Sequence, residues 1–569
     1  MVNDWLMNPA LLMMLAGLLA IRLPARLLGP LAIVTPALGL LMLWQLPEGE
    51  HGAVTLYGMA LTTLRVDGLS FVWGVIFHIA AMLAGLYAWH VKDRMQQSAA
   101  LIYAGAAIGA VLAGDLLTLF LYWELTALSS VLLIWANRTP RAYKVGLRYL
   151  IIQVISGLLL MAGAIIYYRE TGSLAFDHLG LNAPGAWLIF LAFGIKCAFP
   201  LLHNWLQDAY PEATVTGTVV LSAFTTKLAV YSLARGFAGE EILITIGAVM
   251  TAFPIFFAVI ENDLRRVLSY SLNNQLGFMV VGVGLGTEMA LNGAAAHAFA
   301  HILYKALLFM SMGAVLLRVG TVKASELGGL YKSMPWTTVF CIIGGMSISA
   351  FPLFSGFVTK SMILTAAAAE HHWLVWGVLL FASAGVLDHS GIKVPFFSFF
   401  YHDAGHRVKE APLNMLLAMG ITAFLCIGIG IWPEPLYAIL PYPVDYAPYT
   451  SYHVITQLQL LMFAALAFCV LIRKGWYPPE IRSVNLDSDW LYRRLAPKVV
   501  SGVGSVVVKL DQGIRATAMQ WLRAFLQRVA TLNSDSGLLA RNTSIGSMVA
   551  WVVLFLALLL VLALFRQGV

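Results

Sequence analysis

The 569-residue chain is 60% hydrophobic and 11% charged, with a mean hydropathy of +0.81 and a formal net charge of +7. Soluble domains run about 45–50% apolar and about 25% charged, so a soluble protein is excluded and the composition points to an all-α polytopic membrane protein. The alternating strands of about ten residues that mark transmembrane barrels are not in the pattern, and the placement of Lys and Arg explains the charge without a nucleic-acid partner.

Apolar runs long enough to span a bilayer recur along the whole chain and predict about 14–16 transmembrane helices. The start, MVNDWLMNPALLMMLAGLLA, has no basic n-region. It reads as a first span acting as its own insertion signal, not as a cleaved signal peptide. N-terminal helices are expected over 1–97, a first five-helix block over 98–235, a second over 236–404 and additional spans over 405–475. A cytoplasmic or interfacial amphipathic segment is expected over 476–544 and a last span over 545–569. Within 490–530 apolar residues recur at helical spacing between Arg and Lys, as in a helix lying in the membrane interface. Gly502, Gly504 and Gly513 speak against one continuous helix there, and a linker with helical pieces is the alternative.

Basic residues cluster in alternate loops: Arg22 and Arg26; Lys92 and Arg94; Arg138, Arg141, Lys144 and Arg148; Arg265 and Arg266; Arg318, Lys323 and Lys332; Arg407 and Lys409. The intervening loops, such as PEGEHG at 47–52, are poor in them. The positive-inside rule makes the basic loops cytoplasmic and puts the N-terminus outside, in the cell inner (plasma) membrane. Cys197, Cys341, Cys426 and Cys469 all fall in apolar spans without a CxxC. They read as core residues, with no metal site, disulfide framework, haem or iron–sulfur cluster. No nucleotide-binding glycine motif occurs, so no cofactor and no catalytic residues are expected.

Six ionisable residues, Glu124, Lys196, Lys227, Lys305, Lys360 and Lys393, stand inside apolar stretches. Each costs roughly 2.5–3.5 kcal/mol at the bilayer centre, and such groups pair, face water or carry protons. Two of them adjoin prolines in interrupted helices. Lys196 precedes Pro200 in GIKCAFPLLHNW, and Pro352 and Gly356 precede Lys360 in AFPLFSGFVTK. Broken helices in corresponding halves point to transporter sites built from inverted repeats. Glu124, near mid-span, is a candidate partner for Lys196. Lys227 is three turns into its span and reads either as a proton carrier or as a snorkelling lysine. His297, His301 and Lys305 follow at i, i+4 and i+8 on one helical stripe, which suits a proton relay. Zinc is disfavoured because a third ligand and the HExxH glutamate are missing. Asp388, His389 and Lys393 form a candidate proton exit, or a plain helix-end cluster.

Five stretches resemble one family: FLYWELTALSSVLLI at 120–134, GIKCAFPLLHNWLQDAYPEA at 194–213, ENDLRRVLSYSLNNQLGF at 261–278, HAFAHILYKALLF at 297–309 and AFPLFSGFVTKSMIL at 350–364. Occurring in this order, they are similar to the antiporter-like subunits shared by respiratory complex I, Mrp-type multisubunit sodium/proton antiporters and membrane-bound hydrogenases. The resemblance implies two inverted five-helix repeats with a polar axis at mid-membrane. It matches Glu124 to the family's intramembrane glutamate, and Lys196 to the lysine of its first broken helix. Lys227 and Lys305 match the intramembrane lysines that follow, and Lys360 the ionisable group of the second broken helix. A lysine at 227, with Leu221 where the largest complex I subunit type tends to carry histidine, looks like the D-type subunit of Mrp antiporters. The added C-terminal segment and span resemble instead the lateral helix and anchor of the largest subunit.

The expected function is therefore a proton-translocating subunit of a cation (sodium)/proton antiporter, working with other membrane subunits. Its protons would pass Lys196, Lys227, His297, His301, Lys305 and Lys360 under the control of Glu124. Sodium prefers oxygen ligands, as hard cations do, and mid-membrane carboxylates are scarce, which places any sodium site on a partner or interface. Two other readings stay open: a proton-pumping subunit of a complex I-like or hydrogenase complex, and the membrane subunit of an ion-coupled bicarbonate uptake system.

Overall fold

The computed structural model describes residues 8–482, 485–534, 536–538 and 544–567. The expected extracellular N-terminus, residues 1–7, lies outside the described residues, as do parts of the expected 476–544 and 545–569 segments. Two compact units divide the chain, Met1–Asn485 and Leu486–Val569.

The first unit is a helical bundle. Among the described residues eleven helices are long and apolar enough to cross a membrane, ten of them in this unit. Three shorter apolar helices, Pro9–Ala20, Ala186–Lys196 and Pro335–Ile348, and two long, more polar ones, Arg94–Val111 and Leu264–Leu285, complete the set anticipated from the apolar runs. In chain order the elements that matter below are α1 (Pro9–Ala20), α2 (Ala25–Gln45), β1 (Gly49–Leu56), β2 (Met59–Val66), α3 (Gly68–Tyr87), α4 (Arg94–Val111), α5 (Leu116–Trp135) and α6 (Pro140–Thr171). Then come α7 (Ala186–Lys196), α8 (Asn204–Glu212), α9 (Val215–Ala223), α10 (Thr225–Gly236), α11 (Glu241–Ile260), α12 (Leu264–Leu285) and α13 (Glu288–Val319). The unit ends with α14 (Pro335–Ile348), α15 (Ser355–Ala369), α16 (Trp373–Val386), α17 (Leu413–Ile431) and α18 (Ser451–Lys474). The outer helices expose Leu, Ile and Phe, whereas α12 and α13 are buried almost end to end. Cys197, Cys341 and Cys426 are core residues, but Cys469 is exposed on α18.

Three features depart from the sequence-based expectation. A β-hairpin occupies 49–66, starting inside the loop expected at 47–52. Its two-residue turn, Tyr57-Gly58, has φ of +50° and +81°, the left-handed geometry that fits the twist of a hairpin. The free edge of β2 is held by the turn before α5: Thr62 N–H donates to Asp115 Oδ2 (3.0 Å), Gly114 N–H to Thr62 O (3.0 Å) and Arg65 N–H to Leu112 O (2.6 Å). Pairing on both edges stabilises a hairpin that would be marginal alone.

The second departure is an interruption at Phe224, which parts α9 from α10 without a proline. Two tyrosines cause it. Tyr103 Oη accepts the Thr225 N–H (3.0 Å), and Tyr210 Oη donates to Leu221 O (2.7 Å). These are the two groups that would otherwise bond to each other in the helix, and inserting side chains into the ladder breaks it.

The third lies in the second unit. Ala496–Leu532 is one uninterrupted 37-residue helix, α19, with no buried residue, followed by the apolar α20, Ile545–Gln567. Each of its glycines costs about 1 kcal/mol. The good helix formers Ala, Leu, Arg, Gln and Met concentrate in α19 after Gly513, where they offset part of that cost.

Candidate functional site

Both predicted breaks are present and share one construction. Each is an Ala-Phe-Pro-Leu turn, at 198–201 and 350–353. The Ala and Leu have positive φ in both: +62° and +70° in the first, +57° and +74° in the second. Phe199 N–H reaches Gly194 O (3.0 Å) and Ala198 N–H reaches Ile195 O (3.1 Å). Phe351 N–H to Met346 O (3.0 Å) and Ala350 N–H to Ser347 O (3.1 Å) repeat the pattern. These are Schellman caps, with alanine at the left-handed position that glycine usually takes. The following proline cannot continue the helix, so backbone carbonyls are left at the helix ends.

Backbone carbonyls, one of them at the second break, and a few hydroxyls receive the buried lysines. Lys196 is wholly buried; its ammonium donates to Trp123 O (2.6 Å) and Thr126 Oγ1 (2.8 Å) and lies 4.3 Å from the Trp123 ring centroid. Lys227 donates to Ser222 O (2.5 Å), one of the carbonyls beside the Phe224 interruption. Lys305 donates to Ser271 Oγ (2.9 Å) and Leu268 O (3.3 Å). Lys360 donates to Ile348 O (3.1 Å), at the C-terminal end of α14 where the helix dipole favours a cation, and to Ser383 Oγ (3.4 Å). Among the described residues none of these four lysines makes an ion pair with a carboxylate.

The expected Glu124–Lys196 ion pair is therefore not closed. The Glu124 carboxylate lies against the backbone of Gly157 on α6, where a Cβ would overlap it, and its Oε1 is buried without a hydrogen-bond partner. It remains within electrostatic range of Lys196. The reason is local: Trp123 O and Thr126 Oγ1, on the same helix as Glu124, take up the ammonium instead.

The middle of the site is a cluster on α10, α12 and α13. His297 Nε2 is 3.1 Å from Gln275 Oε1, and His297 Nδ1 is 3.2 Å from Thr359 Oγ1, the residue before Lys360. Tyr304 Oη donates to Gln275 Oε1 (3.1 Å). The His297 and His301 rings are 6.3 Å apart, and both His301 nitrogens are buried without partners. Lys227 and Lys305 lie in electrostatic range of each other and of His301. His389 sits in a π-helical turn, Leu387–Ile392. Lys393 makes an ion pair with Glu480 (2.8 Å), and His389 and Lys393 are both buried. No group of three metal-ligating side chains occurs among the described residues.

Sequence reading missed the neutral partners Ser271, Gln275, Thr359, Ser383 and Ser390, and the carboxylate Glu480. The run SYSLNNQ on α12 held a usable signal, since Ser269, Ser271, Asn273, Asn274 and Gln275 are all wholly buried. Five such polar residues in consecutive turns of a core helix need partners or water.

A helical membrane protein with two capped breaks and a line of buried cations between them belongs to the class that moves ions across the bilayer. Comparison with known proteins narrows the class. The family model for the transmembrane region of NADH:quinone oxidoreductase and Mrp antiporters matches residues 113–386. The chain is 31% identical over 410 residues to the NAD(P)H-quinone oxidoreductase chain 4 1 of Synechococcus sp., across 65% of this chain and 76% of that one. It is 29% identical over 352 residues to the D-type subunit of the Na(+)/H(+) antiporter of Alkalihalophilus pseudofirmus, across 58% and 71%. A chain of the membrane-bound sulfane sulfur reductase, an archaeal respiratory membrane complex, shares the fold with a TM-score of 0.70 at 22% identity, over 97% of this chain and 99% of that one. The protein belongs to the NADH:quinone oxidoreductase/Mrp antiporter membrane-subunit family.

Proposed function

We propose that this chain is a proton-translocating membrane subunit of a multisubunit complex in the plasma membrane, with its N-terminus outside, and that the complex is a cation (sodium)/proton antiporter. The observation that carries the reading is the set of four wholly buried lysines with only neutral oxygens as hydrogen-bond partners. A buried ammonium without a counter-charge costs several kcal/mol, and the cost falls on the protonated form alone. Two like charges at Lys227 and Lys305 repel each other as well. A proton arriving at one lysine therefore displaces the proton on the next, which is how a relay moves charge without moving side chains far.

Glu124 serves as the control group. Its carboxylate is uncommitted and can swing toward Lys196, holding a proton there, or away, releasing it toward Lys227. His297, His301 and Lys305 carry the proton on to Lys360, and water in the two breaks joins the ends to opposite faces. The matched Ala-Phe-Pro-Leu turns support a repeat organisation over 98–235 and 236–404. A redox-driven pump is the second reading, favoured by the 31% identity to a quinone oxidoreductase chain; there the electron chemistry lies on other subunits.

The test is proton transport by the reconstituted complex carrying Lys196→Ala. Transport is lost while the complex still assembles. Wild-type transport in an assembled Lys196→Ala complex would overturn the scheme. Acidification driven by a sodium gradient alone identifies the antiporter, whereas dependence on an electron donor identifies the pump.

A further inference from the structure

The π-helical turn at 387–392 makes a connection that the Lys360 route does not use. The wider turn of a π segment, frequent at functional sites, sets Ser390 against α12. Ser390 Oγ is 2.7 Å from Ser271 Oγ, which accepts the Lys305 ammonium at 2.9 Å, and His389 Nδ1 is 2.8 Å from Ser390 Oγ. Lys305, Ser271, Ser390 and His389 are all wholly buried, so this is an unbroken hydrogen-bonded chain with no solvent in it.

Beyond His389 the polar atoms are orphaned. His389 Nε2, Asp388 Oδ1 and Tyr477 Oη are buried without a hydrogen-bond partner among the described residues. Lys393, one turn on, donates to Val259 O (2.6 Å), Glu261 O (2.8 Å) and Ala258 O (3.3 Å), and faces Glu480 at 2.8 Å. That ion pair is close but poorly aligned, so both Glu480 oxygens lack a hydrogen bond. Glu480 belongs to the segment after α18 and its side chain is 7% exposed. Tyr477 is in electrostatic range of Asp388 and Glu480, and Glu261 is in range of Glu480. Buried polar groups left this way are bridged by ordered water.

We propose that a second proton branch leaves Lys305 through Ser271 and Ser390 to His389 and ends at Glu480, which exchanges protons with water on the face bearing Arg266, Lys323 and Arg482. The branch rests on the reading of Lys305 as a proton carrier. In the resting geometry Ser390 Oγ–H donates to Ser271 Oγ; once both hydroxyls have rotated, Lys305 Nζ gives a proton to Ser271 Oγ, the Ser271 hydroxyl proton passes to Ser390 Oγ, and that of Ser390 passes to His389 Nδ1. The imidazolium then releases its Nε2 proton through water to the Glu480 carboxylate; the transfer leaves the two hydroxyls in their resting orientation and the ring protonated at Nδ1, and a flip of the ring resets the chain. Over the full cycle, ring flip included, one proton has moved from Lys305 to Glu480 and no other bond is changed. Burial pushes the Glu480 carboxyl above the usual glutamate range; Lys393 pulls it back and Glu261 adds to the push. Lys393 steadies the anionic form of Glu480 and so acts as a positioning residue.

The test uses the whole complex in proteoliposomes with an internal pH dye. Ser390→Ala is expected to slow proton transport by up to about tenfold, less than the roughly 10²–10⁴ that a sole proton-transfer partner contributes because the Lys360 route stays open, and Ser390→Thr to restore it. Glu480→Gln is expected to slow transport and to flatten its dependence on pH on the Glu480 side, with Glu480→Asp keeping the dependence. If Ser390→Ala does not assemble, the Glu480→Gln profile decides. Lys305→Ala separates the two claims. Wild-type transport in Lys305→Ala would overturn the proton-carrier reading itself. Loss of transport there, with wild-type rates and pH profiles in Ser390→Ala and Glu480→Gln, would overturn the branch alone. A purely structural Lys393–Glu480 pair would lower assembly yet leave the pH profile of the assembled Glu480→Gln complex unchanged, which also overturns the branch.

Discussion

The interruption at Phe224 places the Ser222 carbonyl on Lys227, and the two tyrosines that create it can be removed one at a time. In Tyr103→Phe the Thr225 N–H loses its acceptor, and in Tyr210→Phe the Leu221 carbonyl loses its donor. Each site is buried, so each single variant leaves one backbone group orphaned, at a cost of about 1–3 kcal/mol. In the double variant the two orphans lie one helical turn apart and can bond to each other. The helix then heals, and the double variant is destabilised by less than the sum of the singles by about 1–3 kcal/mol, within the usual range for residues in one network.

The assay is a double-mutant cycle on the purified complex in mixed micelles, unfolding it with SDS and following tryptophan fluorescence. A functional consequence accompanies the healing. The Ser222 carbonyl is drawn back toward the ladder and away from Lys227, so the double variant regains stability yet transports protons more slowly than either single. Costs that add to within about 0.3–0.5 kcal/mol would refute the claim that these tyrosines hold the helix open.

Three further outcomes follow from the same geometry. The left-handed conformation costs an L-residue about 1–2 kcal/mol, part of which glycine returns through its greater freedom when unfolded. Ala198→Gly and Ala350→Gly should therefore each stabilise the assembled protein by about 0.5–1 kcal/mol in the same unfolding assay, and a loss in both would contradict the capping assignment. In Gly157→Ala the new methyl displaces the Glu124 carboxylate, so its transport rate should match that of Glu124→Ala, and adding it to Glu124→Ala should change nothing further. Asp67, at the start of α3, is pushed up by burial, but the hydrogen bonds and charge of Arg235, the Ser70 N–H and the Arg65 charge outweigh that and hold its carboxyl below the usual range. A lowered folded value means its stabilisation is complete above the unfolded value of about 3.9 and is lost as pH falls through the folded value. The thermal midpoint difference between wild type and Asp67→Asn should thus be constant above about pH 5 and shrink below about pH 4; a difference that grows on acidification would reverse the sign.

What the sequence revealed and what it hid divide along a physical line. Lys196, Lys227, Lys305, Lys360 and Lys393 were legible because a charge in an apolar span is costly and therefore conspicuous. Pro200 and Pro352 were legible because proline announces a break. The hairpin over 49–66 was not, since its Tyr-Gly turn lacks the usual Asn-Gly or Asp-Gly signal and its stability comes from the distant Asp115 turn. The interruption at Phe224 was hidden for the same reason, its cause being Tyr103 and Tyr210 on other helices. Glu124 and Lys196 were both legible, but their relation was not. Opposite charges in apolar spans invite pairing on paper, while in the bundle Trp123 O and Thr126 Oγ1 reach the ammonium first. Hydroxyls present the extreme case. Ser271 and Ser390 are common residues that cost little to bury when bonded, so neither stands out in its helix. Yet the 2.7 Å contact between them joins Lys305 to His389, while His297 bonds to Thr359 and lies in electrostatic range of Lys360. In this fold charge marks where a proton can rest, and the inconspicuous hydroxyls decide which resting places are joined.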